Sequence, residues 1–101
     1  MNSIQEQPPE EVKENLELLK SDLDNKIPSK QLDRNLLIAT WNIRAFGNLT
    51  RKWDSDDDDS PKRDLHSILC IAEIIKRFDV IAVQEVKDNI RALRDTLKVL
   101  G

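Results

Sequence analysis

Glu85 is the side chain in this sequence whose placement most calls for a chemical explanation. It follows Asp79-Val80-Ile81-Ala82-Val83-Gln84, where four consecutive apolar or small residues read as a strand buried on both faces. An ionised carboxylate is costly to bury unless it is paired or coordinates a metal, and the end of a buried strand is where open sheets hold their ligands. Within this stretch alone, a metal-binding Glu85 and a Glu85 turned to solvent stand equal. A second run, Leu36 to Phe46, carries Asn42 and Arg44 two residues apart. Strand periodicity places these two on one face and Trp41 and Ile43 on the other. A neutral amide beside a guanidinium at a strand's C-terminal end resembles a site more than a core. The plainer alternative is an asparagine satisfying backbone groups and an arginine lying in solvent.

Both runs must be strands, and the segment between them a helix. Leu65, Ile68, Leu69, Ala72, Ile75 and Phe78 recur at helical spacing, widened by Ile71 and Ile74. Ser60-Pro61 predicts the start of that helix, with serine as cap and proline in the first turn. A strand–helix–strand crossover makes the two strands parallel and is almost always right-handed. If the strands are neighbours, Asn42 and Glu85 emerge at one edge of the sheet. That coincidence favours the site reading over the solvent one.

Two further helices flank this unit. Pro8-Pro9 before Glu10-Glu11 predicts a helix from about Pro9 to Asp24, ended by Asn25 and Pro28. Its stripe of Val12, Leu16, Leu19 and Leu23 is expected to pack on the rest of the chain. After the second strand, Asp88 is the expected cap of a final helix with Ile90, Leu93, Leu97 and Leu100 as its apolar stripe and Gly101 as terminator. Pro28 to Arg34 reads as a linker.

Composition narrows the class. The chain has 101 residues, 39% apolar and 35% charged, which suits one small domain with a well-solvated surface. The single cysteine, Cys70, has no internal disulfide partner and reads as a small core filler. No apolar run is long enough to span a membrane, and the residues after Met1 do not form a secretory signal. The expected location is cytoplasmic. A net charge of −3 hides a partition: residues 34–53 contain four basic residues and no acid, followed at once by Asp54, Asp56, Asp57, Asp58 and Asp59. The basic island hints at a phosphate-bearing partner. The acidic cluster lacks the glycine and closing glutamate of an EF-hand loop and is expected to be a solvated, self-repelling loop. Neutralising its aspartates should then leave folding nearly unchanged. His66 is expected at the surface.

Thr40-Trp41-Asn42-Ile43-Arg44-Ala45-Phe46-Gly47 followed by Asp79-Val80-Ile81-Ala82-Val83-Gln84-Glu85-Val86-Lys87-Asp88 resembles the start of an endonuclease/exonuclease/phosphatase superfamily domain, nearest its deoxyribonuclease I-like branch. The resemblance runs from about Leu36 to Gly101. It implies an α/β chain that is the N-terminal fragment of a four-layer sandwich: residues 1–34 as a helical extension and linker, residues 35–101 as the truncated domain. It implies that Glu85 holds a catalytic divalent metal, usually Mg2+, that Asn42 helps place the metal and the scissile phosphate, and that Arg44 and Lys87 contact a nucleic-acid backbone. The implied reaction is metal-dependent hydrolysis of DNA phosphodiester bonds. A phosphatase, a sphingomyelinase-like esterase and a non-catalytic, protein-binding fragment with exposed sheet edges are the alternatives. The family's later histidines, aspartates and asparagine have no counterparts here, and His66 matches none of them. Such a sandwich needs roughly 200–250 residues, so this chain is expected to show no significant turnover by itself.

Overall fold

Apolar, β-branched runs form the two strands where periodicity places them: β1 spans Ile38–Phe46 and β2 spans Val80–Val86. The computed structural model describes residues 2–31, 35–86 and 89–101, and for Ala45, Glu85 and Val86 the backbone alone. The element order is α1 (Glu10–Lys26), β1, α2 (Leu65–Ile75), β2, α3 (Arg91–Leu100). The strands pair parallel as neighbours in a two-stranded sheet, Ile38 opposite Val80 through Asn42 opposite Gln84. The register then shifts before Phe46 meets Val86. The pair is seeded at its start, where Leu37 N donates to Asp79 Oδ2 at 2.8 Å and Asp79 N returns a bond to Leu37 O at 2.8 Å.

The core lies on one side of this sheet. Ile43 and Phe46 of β1 pack with Leu65, Ile68 and Ile71 of α2, Val12 of α1 and Ala92 of α3. Burial on both strand faces, expected from the continuous apolar runs, does not hold among the described residues. Ile38 is 62% exposed and Val80 53%, with Thr40, Ala82 and Gln84 also on the open face. Helices cover one face only, so alternate positions of both strands meet solvent.

Local chemistry explains where the helices begin and end. α1 runs beyond Asn25 to Lys26; the extended Ile27 that follows precedes Pro28, whose ring disfavours a helical residue before it. α2 does not start at Ser60-Pro61, which is a cis peptide bond. Asp64 caps it instead: Oδ1 accepts the Ser67 amide at 2.9 Å and the Ser67 hydroxyl at 2.9 Å. Residues 61–63 give their carbonyls to the preceding loop, to Thr50 Oγ1, Ser55 Oγ and Thr50 N, and so cannot join the helix. α3 is rotated from its expected stripe. It buries Ala92, Asp95 and Thr96, whereas Ile90 and Leu97 are exposed. The polar pair is tolerated because each member is satisfied: Thr96 Oγ1 donates to Ala92 O at 2.8 Å, and Asp95 accepts two bonds from Arg51. The expected cap, Asp88, lies outside the described residues.

Two ion-pair clusters bind the layers together. Arg51 Nε and Nη2 reach the two carboxylate oxygens of Asp95 at 3.2 and 3.1 Å, tying the loop after β1 to α3. Arg77 joins Glu73 on α2 at 3.1–3.2 Å and Asp24 on α1. The N-terminal segment also docks on this body, with Ile4 buried and Asn2 N bonded to Arg51 O at 2.9 Å.

Candidate functional site

The C-terminal end of the parallel pair is where the sheet can present chemistry. β1 brings Asn42 to that end, directly opposite Gln84, the residue before Glu85. Asn42 is exposed, and its side-chain amide makes no hydrogen bond among the described residues. Arg44 follows two positions later, exposed, with no ion-pair partner among the described residues. Its carbonyl accepts Arg63 Nη2 at 2.9 Å. The side chain of Glu85 and the whole of Lys87 lie outside the described residues, so of the four expected site residues the structure brings Asn42 and Arg44 to one strand end. It places the backbone of Glu85 beside them in the neighbouring strand.

Asn42 offers an amide oxygen at this end, and β2 carries Glu85 beside it. An asparagine amide and a carboxylate are hard ligands, suited to a Mg2+-like ion that keeps several waters and takes only one or two carboxylates from protein. No group of three or more His, Cys, Asp or Glu poised for metal binding occurs among the described residues.

Residues that periodicity could not place complete the surroundings. An open groove of about 450 Å³ runs beside Asn42, lined by Trp41, Arg44, Lys62, Arg63 and Ser67, with Ile43 and Ile71 at its floor. Arg63 sits with Cζ 5.7 Å from the centre of the Phe46 ring, and burial pulls its guanidinium below the ordinary arginine value. The sequence signal for Lys62 and Arg63 was their direct succession after Ser60-Pro61, which the helix reading absorbed.

The acidic loop is not self-repelling. Lys52 Nζ contacts Asp56 at 3.2 Å and Asp59 at 2.9 Å, and Asp59 also accepts the Asp56 amide at 2.7 Å. Lys62 Nζ donates to the carbonyls of Asp56 and Asp57. The amide bond from Asp56, and then Lys52, hold the Asp59 carboxyl below its usual range, while Asp59 and then Asp56 hold Lys52 above its own. Two lysines flanking the loop in sequence convert repulsion into a closed turn. His66 is partly buried on α2 with Nδ1 3.1 Å from Asp54 Oδ1. Cys70 is partly buried on the same helix, and burial pushes its thiol up, which suits an inert side chain rather than a nucleophile. No described helix is long and apolar enough to cross a membrane.

No curated protein and no solved structure matches the chain. Residues 39–100 match the Endonuclease/Exonuclease/phosphatase family. That span starts inside β1 and takes in the acidic loop, α2, β2 and α3, so it contains the C-terminal ends of both strands. With more than half of its length matched in the order the parallel unit requires, this chain belongs to the endonuclease/exonuclease/phosphatase family of hydrolases.

Proposed function

We propose that this chain is the N-terminal part of a metal-dependent phosphodiesterase of the deoxyribonuclease I-like kind, acting on nucleic acid, with residues 1–34 as an added helical segment. The observation that supports this reading is the parallel pairing that sets the unengaged Asn42 amide opposite position 84, next to Glu85 in the chain. Glu85 and Asn42 would hold a divalent cation, Mg2+ by the hardness of the donors. Such an ion supplies charge neutralisation at the phosphate and an acidified water. The chain's own contribution is positional. Asn42 orients a non-bridging phosphate oxygen through its amide, and Arg44 and Lys87 hold the strand by its phosphates. Proton transfer is not assigned to His66, which is engaged with Asp54.

The reading is tested by metal binding rather than turnover. Substoichiometric Mn2+ should broaden backbone amide resonances centred on residues 42–43 and 84–86, and Glu85→Gln should abolish the broadening. Broadening centred on residues 54–59 and indifferent to Glu85→Gln would refute the site.

A further inference from the structure

The exposed charges of α1 and α3 divide by sign, and neither set is answered inside the molecule. Outward on α3 stand Arg91, Arg94 and Lys98, with Ile90 40% and Leu97 55% exposed among them. Asp95 is the one acid of that helix, and it is buried and bound by Arg51. The exposed side of α1 carries Glu10, Glu11, Glu14 and Glu17 around Leu18, which is 70% exposed beside an open hollow of about 430 Å³. Helical spacing keeps each set on one face of its helix.

Lys98 lies 3.9 Å from Asp95, and Glu17 is 3.4 Å from Lys20. Arg91, Arg94, Glu10, Glu11 and Glu14 have no ion-pair partner among the described residues. Like charges three or four residues apart on a helix repel one another, so a surface of opposite sign relieves each face. One molecule does not supply it to itself: α2 packs on both α1 and α3, whose contact with each other is slight at most. An apolar residue ringed by charges, facing a counterpart ringed by opposite ones, has the core and rim of a protein interface. A net charge of only −3 leaves little long-range repulsion between copies.

We propose that α3 docks on α1 of a second copy of this chain, with Leu97 against Leu18 and its hollow, and Arg91 and Arg94 against Glu10 and Glu14. Each copy then carries both halves of the interface. Two helix faces of this length bury less than the roughly 800 Å² per partner of a standard interface, so the association is weak and falls with salt.

Sedimentation velocity of the whole chain across a concentration series tests it. At about 10 mM salt, where charges act over ~30 Å, the weight-average sedimentation coefficient should rise with concentration. At about 1 M, where they act over ~3 Å, it should stay at the monomer value. Arg91→Glu with Arg94→Glu, and separately Glu10→Lys with Glu14→Lys, should each remain monomeric at low salt, with circular dichroism showing both folded. An equimolar mixture of the two double variants should associate again, because the acidic α1 of the first meets the basic α3 of the second. A wild-type chain that is monomeric throughout, or either double variant associating as wild type does, would overturn the proposal. A mixture that stays monomeric would do so as well, since the paired faces would then not be the contact. Association that survives about 1 M salt would also overturn it and assign the contact to the open apolar sheet face of Leu36, Ile38 and Val80. Low-salt binding to vesicles of anionic phospholipid by a chain that stays monomeric would reject it in favour of a lipid surface.

Discussion

Arg51→Met should be among the most damaging single substitutions outside the hydrophobic core. Arg51 bonds Asp95 through two nitrogens at 3.2 and 3.1 Å, and the Asp95 side chain is only 2% exposed. Removing the guanidinium strands a buried carboxylate whose other cation, Lys98, stands 3.9 Å away and half in solvent. Breaking a buried pair in this way costs about 3–5 kcal/mol, and the partial relief from Lys98 points to the lower end, ~3 kcal/mol. For a domain of this size that is a fall in Tm of roughly 12–24 °C. The reverse change, Asp95→Leu, should cost less, about 1–2 kcal/mol, because Arg51 is 27% exposed and can turn to water. The double variant should cost less than the sum of the two by at least ~1 kcal/mol. Urea unfolding followed by fluorescence of the buried Trp53 measures all four species. Strict additivity, or an Arg51→Met penalty under ~0.5 kcal/mol, would show that the pair does not tie α3 to the loop.

Asp64→Ala should destabilise by about 2 kcal/mol, the upper end for a lost helix cap, since Asp64 Oδ2 also anchors the Ser55 amide at 2.9 Å; denaturant midpoints check this, and Asp64→Asn should recover part of it. The Asp59 contribution to stability is fully present above the usual carboxyl value of 3.8 and is lost as pH falls through its depressed folded value. An acid titration of Tm should therefore show a flatter low-pH limb in Asp59→Asn than in wild type. The raised Lys52 behaves in the opposite sense, with its contribution intact below 10.5 and lost as pH rises through the folded value, so Lys52→Gln should flatten the alkaline limb. Ile38→Thr on the open sheet face should change stability by no more than about 0.5 kcal/mol in this chain, a result a two-faced buried strand would not give.

What the sequence determined by itself was whatever depends on local pattern. The runs Leu36–Phe46 and Val80–Val83 are largely apolar and enriched in β-branched residues, which marks them as strands. The helical spacing from Leu65 to Ile75 then forces a parallel crossover. Asn42 and Glu85 therefore had to reach the same end of the sheet. Only the tertiary structure decided which strand face is covered, since two alternating half-buried faces and one fully buried strand can share the same apolar composition. It also decided where α2 begins. Ser60 and Asp64 are both sound caps, but the carbonyls of residues 61–63 were claimed by Thr50 and Ser55, from a loop ten or so residues upstream in the chain. The rotation of α3 has the same origin. A hydrophobic stripe through Ile90 and Leu97 is the natural local choice, yet Asp95 is buried because Arg51, 44 residues away in sequence, arrives to pair with it. Likewise Lys52 and Lys62 close the acidic loop, and Lys62 and Arg63 meet Arg44 in one groove. Charge partners distant in sequence become neighbours only when the chain has folded, and local periodicity carries no record of them.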